Sequence, residues 1–233
     1  KDVAGFLVNR LLGPYLDEAL RLLQDGFPSE QLDPMVANFG MPMGPLALLD
    51  EVGLDIASHA AKSLHEAYGA RMTPSDALAP FLADGRLGKK SGRGFYEHTA
   101  RKGSKAKSRR TIAPDLPSRM PKRSEDLATL SDQDALDRLL LAMVNEAARC
   151  LEEDVVANAG MLDLATVFGM GFPPFRGGLM RWADTLGAGE IVRRLERIAN
   201  APDVQRRPGG AEKFTPAALL RSHASGGKRF RGK

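Results

Sequence analysis

Apolar and polar positions alternate at helical spacing along most of the chain. Val8, Leu12, Tyr15, Ala19 and Leu22-Leu23 recur on one face while Asp17, Arg21 and Asp25 fall opposite, so the opening segment reads as an amphipathic helix. Gly26 is placed to end it. A second helix follows, opened by Ser29 as N-cap or by Asp33-Pro34 as cap and first residue, and stopped by Gly40. Met41 to Pro45 form a tight loop, and Pro45 starts a short helix that Gly53 ends. Asp55 caps a longer helix to about Tyr68, and Thr73-Pro74-Ser75-Asp76 opens another to about Ala83. From Ser131 the pattern resumes, with Leu136, Leu139-Leu140, Met143-Val144, Ala147 and Leu151 as a second stripe. Further helices are predicted around 179–186 and 188–200, with a last one introduced by Phe214-Thr215-Pro216. No run reads as a β-strand, and the predicted class is all-α.

The same landmarks occur twice. Asn9-Arg10-Leu11-Leu12, Glu18-Ala19, Asp33, Phe39-Gly40-Met41, Asp50 and Gly53 are followed by Asp137-Arg138-Leu139-Leu140, Glu146-Ala147, Asp163, Phe168-Gly169-Met170, Asp184 and Gly187. The offset drifts from 128 through 129 to 134, as short loop insertions between matched helices would produce. The pattern predicts two tandem copies of a helical unit, residues 1–97 and 131–233, joined by a linker over 98–130. Residues 85–96 form a glycine-rich basic loop ending in Phe95-Tyr96, and Gly226-Gly227-Lys228-Arg229-Phe230 echoes Gly92-Arg93-Gly94-Phe95. Arg10, Glu18, Arg138, Glu146, Asp50 and Asp184 recur and therefore read as fold-holding polar partners. Asn9 does not recur, since Asp137 stands in its place. A copy whose polar centre has changed type is expected to keep its shape and lose its site.

Composition changes this picture little. Apolar residues at 43% and charged residues at 27% are ordinary for a soluble globular protein. No apolar run approaches the ~18 residues a membrane span needs, and no signal peptide opens the chain. The first residue is Lys1, followed by an interior-looking Val3-Ala4-Gly5-Phe6, which reads as a piece cut from a longer chain. The single cysteine, Cys150, lies in an alanine-rich helical stretch; it reads as a buried structural thiol and fits a reducing, cytoplasmic setting. Charge is more informative. The net +4 hides nine Lys or Arg between residues 98 and 123 against Asp115 alone, a local +8 that leaves −4 for the remainder. Lys102 to Pro121 accordingly reads as an exposed linker. It contains no aromatic stacking platform, so a solvated hinge is favoured over a nucleic-acid module.

Catalytic and metal-binding clusters are not apparent. His59, His65, His98 and His223 are scattered, and the first two sit about 240° apart round a helix, so they cannot share a metal. No serine or cysteine has a nearby histidine–carboxylate arrangement, and no Gly-x-Gly-x-x-Gly follows a strand. Lys89, Lys90 and Arg93 suit a phosphate-bearing ligand or plain surface solvation, with solvation the default. Asn9 is the exception. Its amide sits among Phe6, Leu7, Val8, Leu11 and Leu12, where such a group needs partners. From the residues alone it is either a junction cap or part of a site.

Three segments carry a family resemblance: Gly5-Phe6-Leu7-Val8-Asn9-Arg10-Leu11-Leu12, Phe39-Gly40-Met41-Pro42-Met43-Gly44-Pro45 and Leu49-Asp50-Glu51-Val52-Gly53-Leu54-Asp55. Together with Gly88 to Tyr96 they closely resemble the C-terminal domain of 3-hydroxyacyl-CoA dehydrogenases. The second copy, with Phe168 to Gly178, resembles the duplicated terminal domain of the multifunctional fatty-acid oxidation α subunit. The resemblance implies an all-α fold and a parent enzyme that uses NAD to oxidise 3-hydroxyacyl-CoA to 3-ketoacyl-CoA. It implies an upstream Rossmann domain that binds NAD and supplies a catalytic His–Glu pair, an enoyl-CoA hydratase domain further upstream, and a thiolase subunit as partner. It places Asn9 beside the acyl-CoA substrate in a positioning role within the catalytic site, with Tyr15, Met43, Gly44 and Pro45 lining an acyl tunnel. In dimeric relatives this domain packs on its copy from another chain, and an internal second copy would replace that partner. Asp137 departs from the asparagine pattern. The chain by itself is expected to show no dehydrogenase turnover and no tight NAD binding. The rival reading is a non-catalytic helical assembly scaffold.

Overall fold

A computed structural model describes residues 2–98, 110–124 and 127–232. The first half contains α1 (Val8–Gln24), α2 (Ser29–Phe39), α3 (Pro45–Val52), α4 (Leu54–Tyr68) and the short α5 (Ala79–Ala83). A two-stranded antiparallel ladder, β1 (Tyr96–His98) with β2 (Arg110–Ile112), and α6 (Leu116–Arg119) follow. The second half contains α7 (Asp132–Glu152), α8 (Ala159–Met170), α9 (Leu179–Leu186), α10 (Ala188–Ala199), α11 (Pro202–Gln205), α12 (Gly210–Phe214) and α13 (Ala218–Gly226). The chain is mainly helical, as the apolar periodicity predicts. The ladder corrects the expectation of no strand; three residues a side are too few to show alternation.

The two long amphipathic helices, α1 and α7, pack on each other at the centre. Leu11, Tyr15, Ala19 and Leu22 of α1 and Leu139, Leu140, Val144 and Ala147 of α7 are all fully buried in one continuous core. Charged residues also lie in this interface, and they pair across it. Arg10 donates to Glu146 at 2.7 Å, while Glu18 lies 3.8 Å from Arg138. Glu146 also receives Arg71 at 3.2 Å, and Glu18 receives Lys213 at 3.2 Å. Each buried carboxylate thus takes cations from the other half, so desolvation is offset by several charge-assisted interactions across the interface.

Two further pairs of aspartates build the loops. Asp33 accepts the backbone N–H of Leu46 and of Ala47, both at 2.9 Å, and so satisfies the free donors of α3. A Cβ on Gly44 would come within 2.4 Å of Asp33, so that position must be bare. Asp163 accepts from Met180 at 2.6 Å at the start of α9. Asp50 accepts from Phe95 (2.8 Å) and Tyr96 (2.9 Å), and Asp184 accepts from Phe230 (2.8 Å) and Arg231 (2.9 Å).

Several predicted boundaries move. Neither Ser29 nor Asp33-Pro34 caps α2; Pro28 occupies the cap position, and Asp33 is spent on α3 instead. Gly53, not Asp55, precedes α4, and Thr73 to Leu78 are outside a helix apart from their flanking turns. Ser131, where the helical pattern resumes, is the N-cap of α7, its hydroxyl accepting from Asp134 N–H at 3.1 Å. The motif match between Phe39-Gly40-Met41 and Phe168-Gly169-Met170 fails in space. Gly40 is the left-handed residue that ends α2 (φ 118°), but α8 runs on to Met170 and ends at Gly171 (φ 70°). The buried aromatic is therefore Phe172, edge-on to Phe39 at 5.7 Å, whereas Phe168 is 84% exposed.

The stretch expected to be an exposed linker is in part packed. Ala113, Leu116 and Met120 are buried, and Asp115 takes Arg86 at 2.9 Å and Arg93 at 3.0 Å. Scattered single apolar residues among Lys and Arg do not register as a stripe, which hides this packing from composition. Residues 99–109, the most basic part, lie outside the described residues.

Candidate functional site

Arg10 fixes what its neighbour can do. Its guanidinium is fully buried, held by Glu146 and by Glu153 (2.7 and 3.0 Å), and it lies over the Tyr68 ring at 4.2 Å. The Tyr68 hydroxyl in turn donates to the Ala4 carbonyl at 2.9 Å, tying down the entry to α1. Successive helical residues project about 100° apart, so turning Arg10 inward turns Asn9 outward. Asn9 is exposed in the first turn of α1, and its amide has no hydrogen-bond partner among the described residues. The chain reaches that turn through two residues in left-handed conformation, Gly5 (φ 73°) and Phe6 (φ 49°), with the Phe6 ring 67% exposed.

Beside Asn9 opens a cleft of about 320 Å³ between α1, α3, α4 and α5. Leu12, Leu16, Leu20, Leu49, Val52, Ile56, Leu64, Leu78 and Leu82 give it apolar walls, and Gly13, Ala57, Ala60 and Ala61 keep it open. Polar groups are few: Asn9 and Asp17 on α1, with Ser58, Lys62, Ser75 and Asp76. Asp17 is already committed. It accepts from Ser75 N–H at 2.7 Å, Arg21 at 2.7 Å and Lys213 at 2.6 Å. Burial alone would raise its carboxyl, but Lys213 and Arg21 hold it well below the usual carboxylate range, so it is an anion bound to cations and no proton shuttle. Asn9 is the uncommitted polar group on the α1 wall. Such a site can seat an apolar chain and offer one amide to a polar head.

The other expected site residues lie elsewhere. Tyr15 is wholly buried among core residues, where burial and then Asp33 push its phenol up, and it does not line the cleft. Met43, Gly44 and Pro45 do not line it either; they form the tight turn whose N–H groups Asp33 satisfies. In place of these, α4 supplies a wall of Ile56, Ala57, Ala60, Ala61 and Leu64. Its signal in the sequence is small residues on the face where an amphipathic helix normally places large ones. Among the described residues no group of His, Cys, Asp and Glu could hold a metal ion, and no helix is long and apolar enough to cross a membrane.

Residues 5–98 match the family described as the 3-hydroxyacyl-CoA dehydrogenase C-terminal domain. That span holds α1 to β1, the cleft and Asn9. The fold as a whole is similar to 3-hydroxybutyryl-CoA dehydrogenase from Escherichia coli K12, with TM-score 0.70 and 25% identity over 97% of this chain and 61% of that one. It is also similar to the dehydrogenase part of multifunctional enzyme 1 from C. elegans, with TM-score 0.70 and 26% identity over 95% of this chain and 48% of that one. The chain thus spans only part of the length of either dehydrogenase. The family match ends at residue 98, but the structural likeness extends through the second half.

Proposed function

We propose that the chain is the substrate-side and domain-pairing portion of an NAD-dependent 3-hydroxyacyl-CoA dehydrogenase acting in cytoplasmic fatty-acid β-oxidation. The observation that carries this reading is the juxtaposition of the uncommitted Asn9 amide with an apolar cleft, inside the segment that matches that family. The acyl chain lies in the cleft, and the Asn9 amide hydrogen-bonds the oxygen-bearing end and holds it in line for reaction. NAD, the hydride acceptor, and the His–Glu pair belong to a Rossmann domain outside this chain, and no residue here is assigned to the cofactor. A hydratase domain and a thiolase subunit complete the proposed assembly.

In this reading residues 131–233 are a second copy that has given up its site, joined to residues 1–97 through the basic segment 98–130. The matched Asp33/Asp163 and Asp50/Asp184 loops support the duplication. The counterparts of the cleft residues support the loss. Gly13 matches Leu141, Ala57 matches Ile191 and Ala61 matches Leu195, each fully buried, while Ala60 matches Arg194. Asp137, in the place of Asn9, is bound to Arg194 at 2.8 Å and to Gln133 at 2.8 Å. Large side chains therefore occupy the positions that are small in the first half.

The test is Asn9→Ala in the full-length protein, following NADH formation from 3-hydroxybutyryl-CoA. Loss of a positioning contact lowers kcat by roughly tenfold or more with little effect on Tm. Unchanged kcat favours the assembly scaffold, for which the exposed Met161, Leu164 and Phe168 on α8 offer a surface.

A further inference from the structure

Between the cleft and a smaller space behind it stands a buried leucine. Leu64, on α4, is 4% exposed and borders two spaces: the 320 Å³ cleft and a second pocket of about 20 Å³ beyond it. The two share Gly13, Asp17, Ala61, Leu64 and Pro74, so they are neighbours along one path. Beyond Leu64 the walls are Pro14, Met72, Arg71 and Lys213. The second pocket holds no more than about one water. Leu64 lies tight against α1 where that helix has no side chain, for a Cβ on Gly13 would come within 2.6 Å of Leu64 Cδ1.

From this geometry we infer that Leu64 is the stop that sets the longest straight acyl chain the cleft accepts. The inference rests on the acyl-cleft reading given above and adds to it the residue that measures length. An acyl chain has room in the cleft because Gly13, Ala57, Ala60 and Ala61 leave the space between α1 and α4 unfilled. Past the stop, the path meets Lys213 bound to Asp17 (2.6 Å) and to Glu18 (3.2 Å), an ion-pair cluster that gives an apolar terminus no favourable contact.

The test measures binding of neutral S-acyl-pantetheine thioesters, from butanoyl to dodecanoyl, to the whole 233-residue chain. Each methylene that finds apolar wall tightens binding about fourfold, and the gain stops at one length in the wild type. Leu64→Ala moves that break to longer chains, and Leu64→Phe moves it to shorter ones. Leu64→Val, the milder truncation, gives a smaller shift in the same direction as Ala if the Ala variant fails to fold. A break that stays at the same length in folded variants overturns the assignment of Leu64 and leaves the acyl cleft standing. Binding that does not depend on chain length in the wild type, or no binding at all, overturns both.

Discussion

Glu18→Gln is the sharpest perturbation of the charged interface between α1 and α7, because it keeps the shape and removes the charge. The Glu18 carboxylate is fully buried and receives Arg207 at 2.9 Å and Lys213 at 3.2 Å, with Arg138 at 3.8 Å. These cations keep other partners in the variant: Asp25 and Asp203 for Arg207, Asp203 for Arg138, and Asp17 for Lys213. Breaking a buried pair from one side costs about 3–5 kcal/mol when the partner charge is left alone. The remaining carboxylates reduce that, so a loss of about 2–4 kcal/mol is expected in denaturant unfolding at neutral pH, or a fall in Tm of about 4–16 °C for a chain of this size.

The same variant carries a pH signature. Burial alone would raise the Glu18 carboxyl, but Arg207, Lys213 and Arg138 hold it below the ordinary glutamate value. A carboxyl whose folded pKa lies below its unfolded one contributes stability above the unfolded value, near 4.3, and loses that contribution as pH falls towards the folded value. The gap between wild type and Glu18→Gln is therefore full at pH 7 and narrows as the pH is taken below about 4. A loss smaller than about 1 kcal/mol at neutral pH, or a gap equally wide in acid, would refute the reasoning.

Other outcomes follow from particular contacts. Phe172→Ala should cost about 3–5 kcal/mol in denaturant unfolding, whereas Phe168→Ala stays within about 0.5 kcal/mol; the motif alignment taken literally predicts the reverse order. Gly13→Leu, which copies Leu141, must displace Leu64 and should abolish acyl-pantetheine binding at an overpacking cost of about 1–3 kcal/mol; retained affinity in a folded variant would exclude this cleft. Burial pushes the Cys150 thiol up to about 12, so a thiol reagent should label it only as fast as the chain unfolds.

The long helices α1 and α7 were legible because burial of a stripe imposes a period, α3 because Pro45 and Gly53 bound it, and α9 and α10 also fall where they are expected. What escaped was decided by contacts distant in sequence. Asp33 looks like a cap for its own helix, but it serves α3 across the turn and also accepts the Tyr96 hydroxyl at 2.9 Å. Arg10, Glu18, Arg138 and Glu146 could be recognised as fold-holding from their recurrence. Their pairing across the interface could not, since each has a candidate partner eight residues away on its own helix. Asn9 stands out in the sequence by contrast with Asp137, and its place beside the cleft is what supports the role proposed for it. Tyr15 and the Met43 turn share helices and loops with the cleft, and periodicity cannot tell a core-facing from a cleft-facing position on the same element.

That last limit explains why the cleft itself had to be found in space. A helix face that lines a cavity and one that packs on a neighbour are both apolar, and what separates them is volume. On α4 the inward positions are Ala57, Ala60 and Ala61, and α1 answers with Gly13, so the two helices enclose space. Under the proposed duplication the corresponding positions on α10 and α7 are Ile191, Arg194, Leu195 and Leu141, and the space is filled. Filling stabilises a copy that no longer binds, while an open apolar cleft forgoes contacts and persists where a ligand supplies them. On the proposed reading the small residues of the first half are a binding feature maintained against packing, and filling the cleft from Ala57, away from the tight Gly13–Leu64 contact, should raise stability. The gain in unfolding free energy and the loss of acyl binding should then appear together in Ala57→Ile, and a destabilised variant that still binds would contradict it.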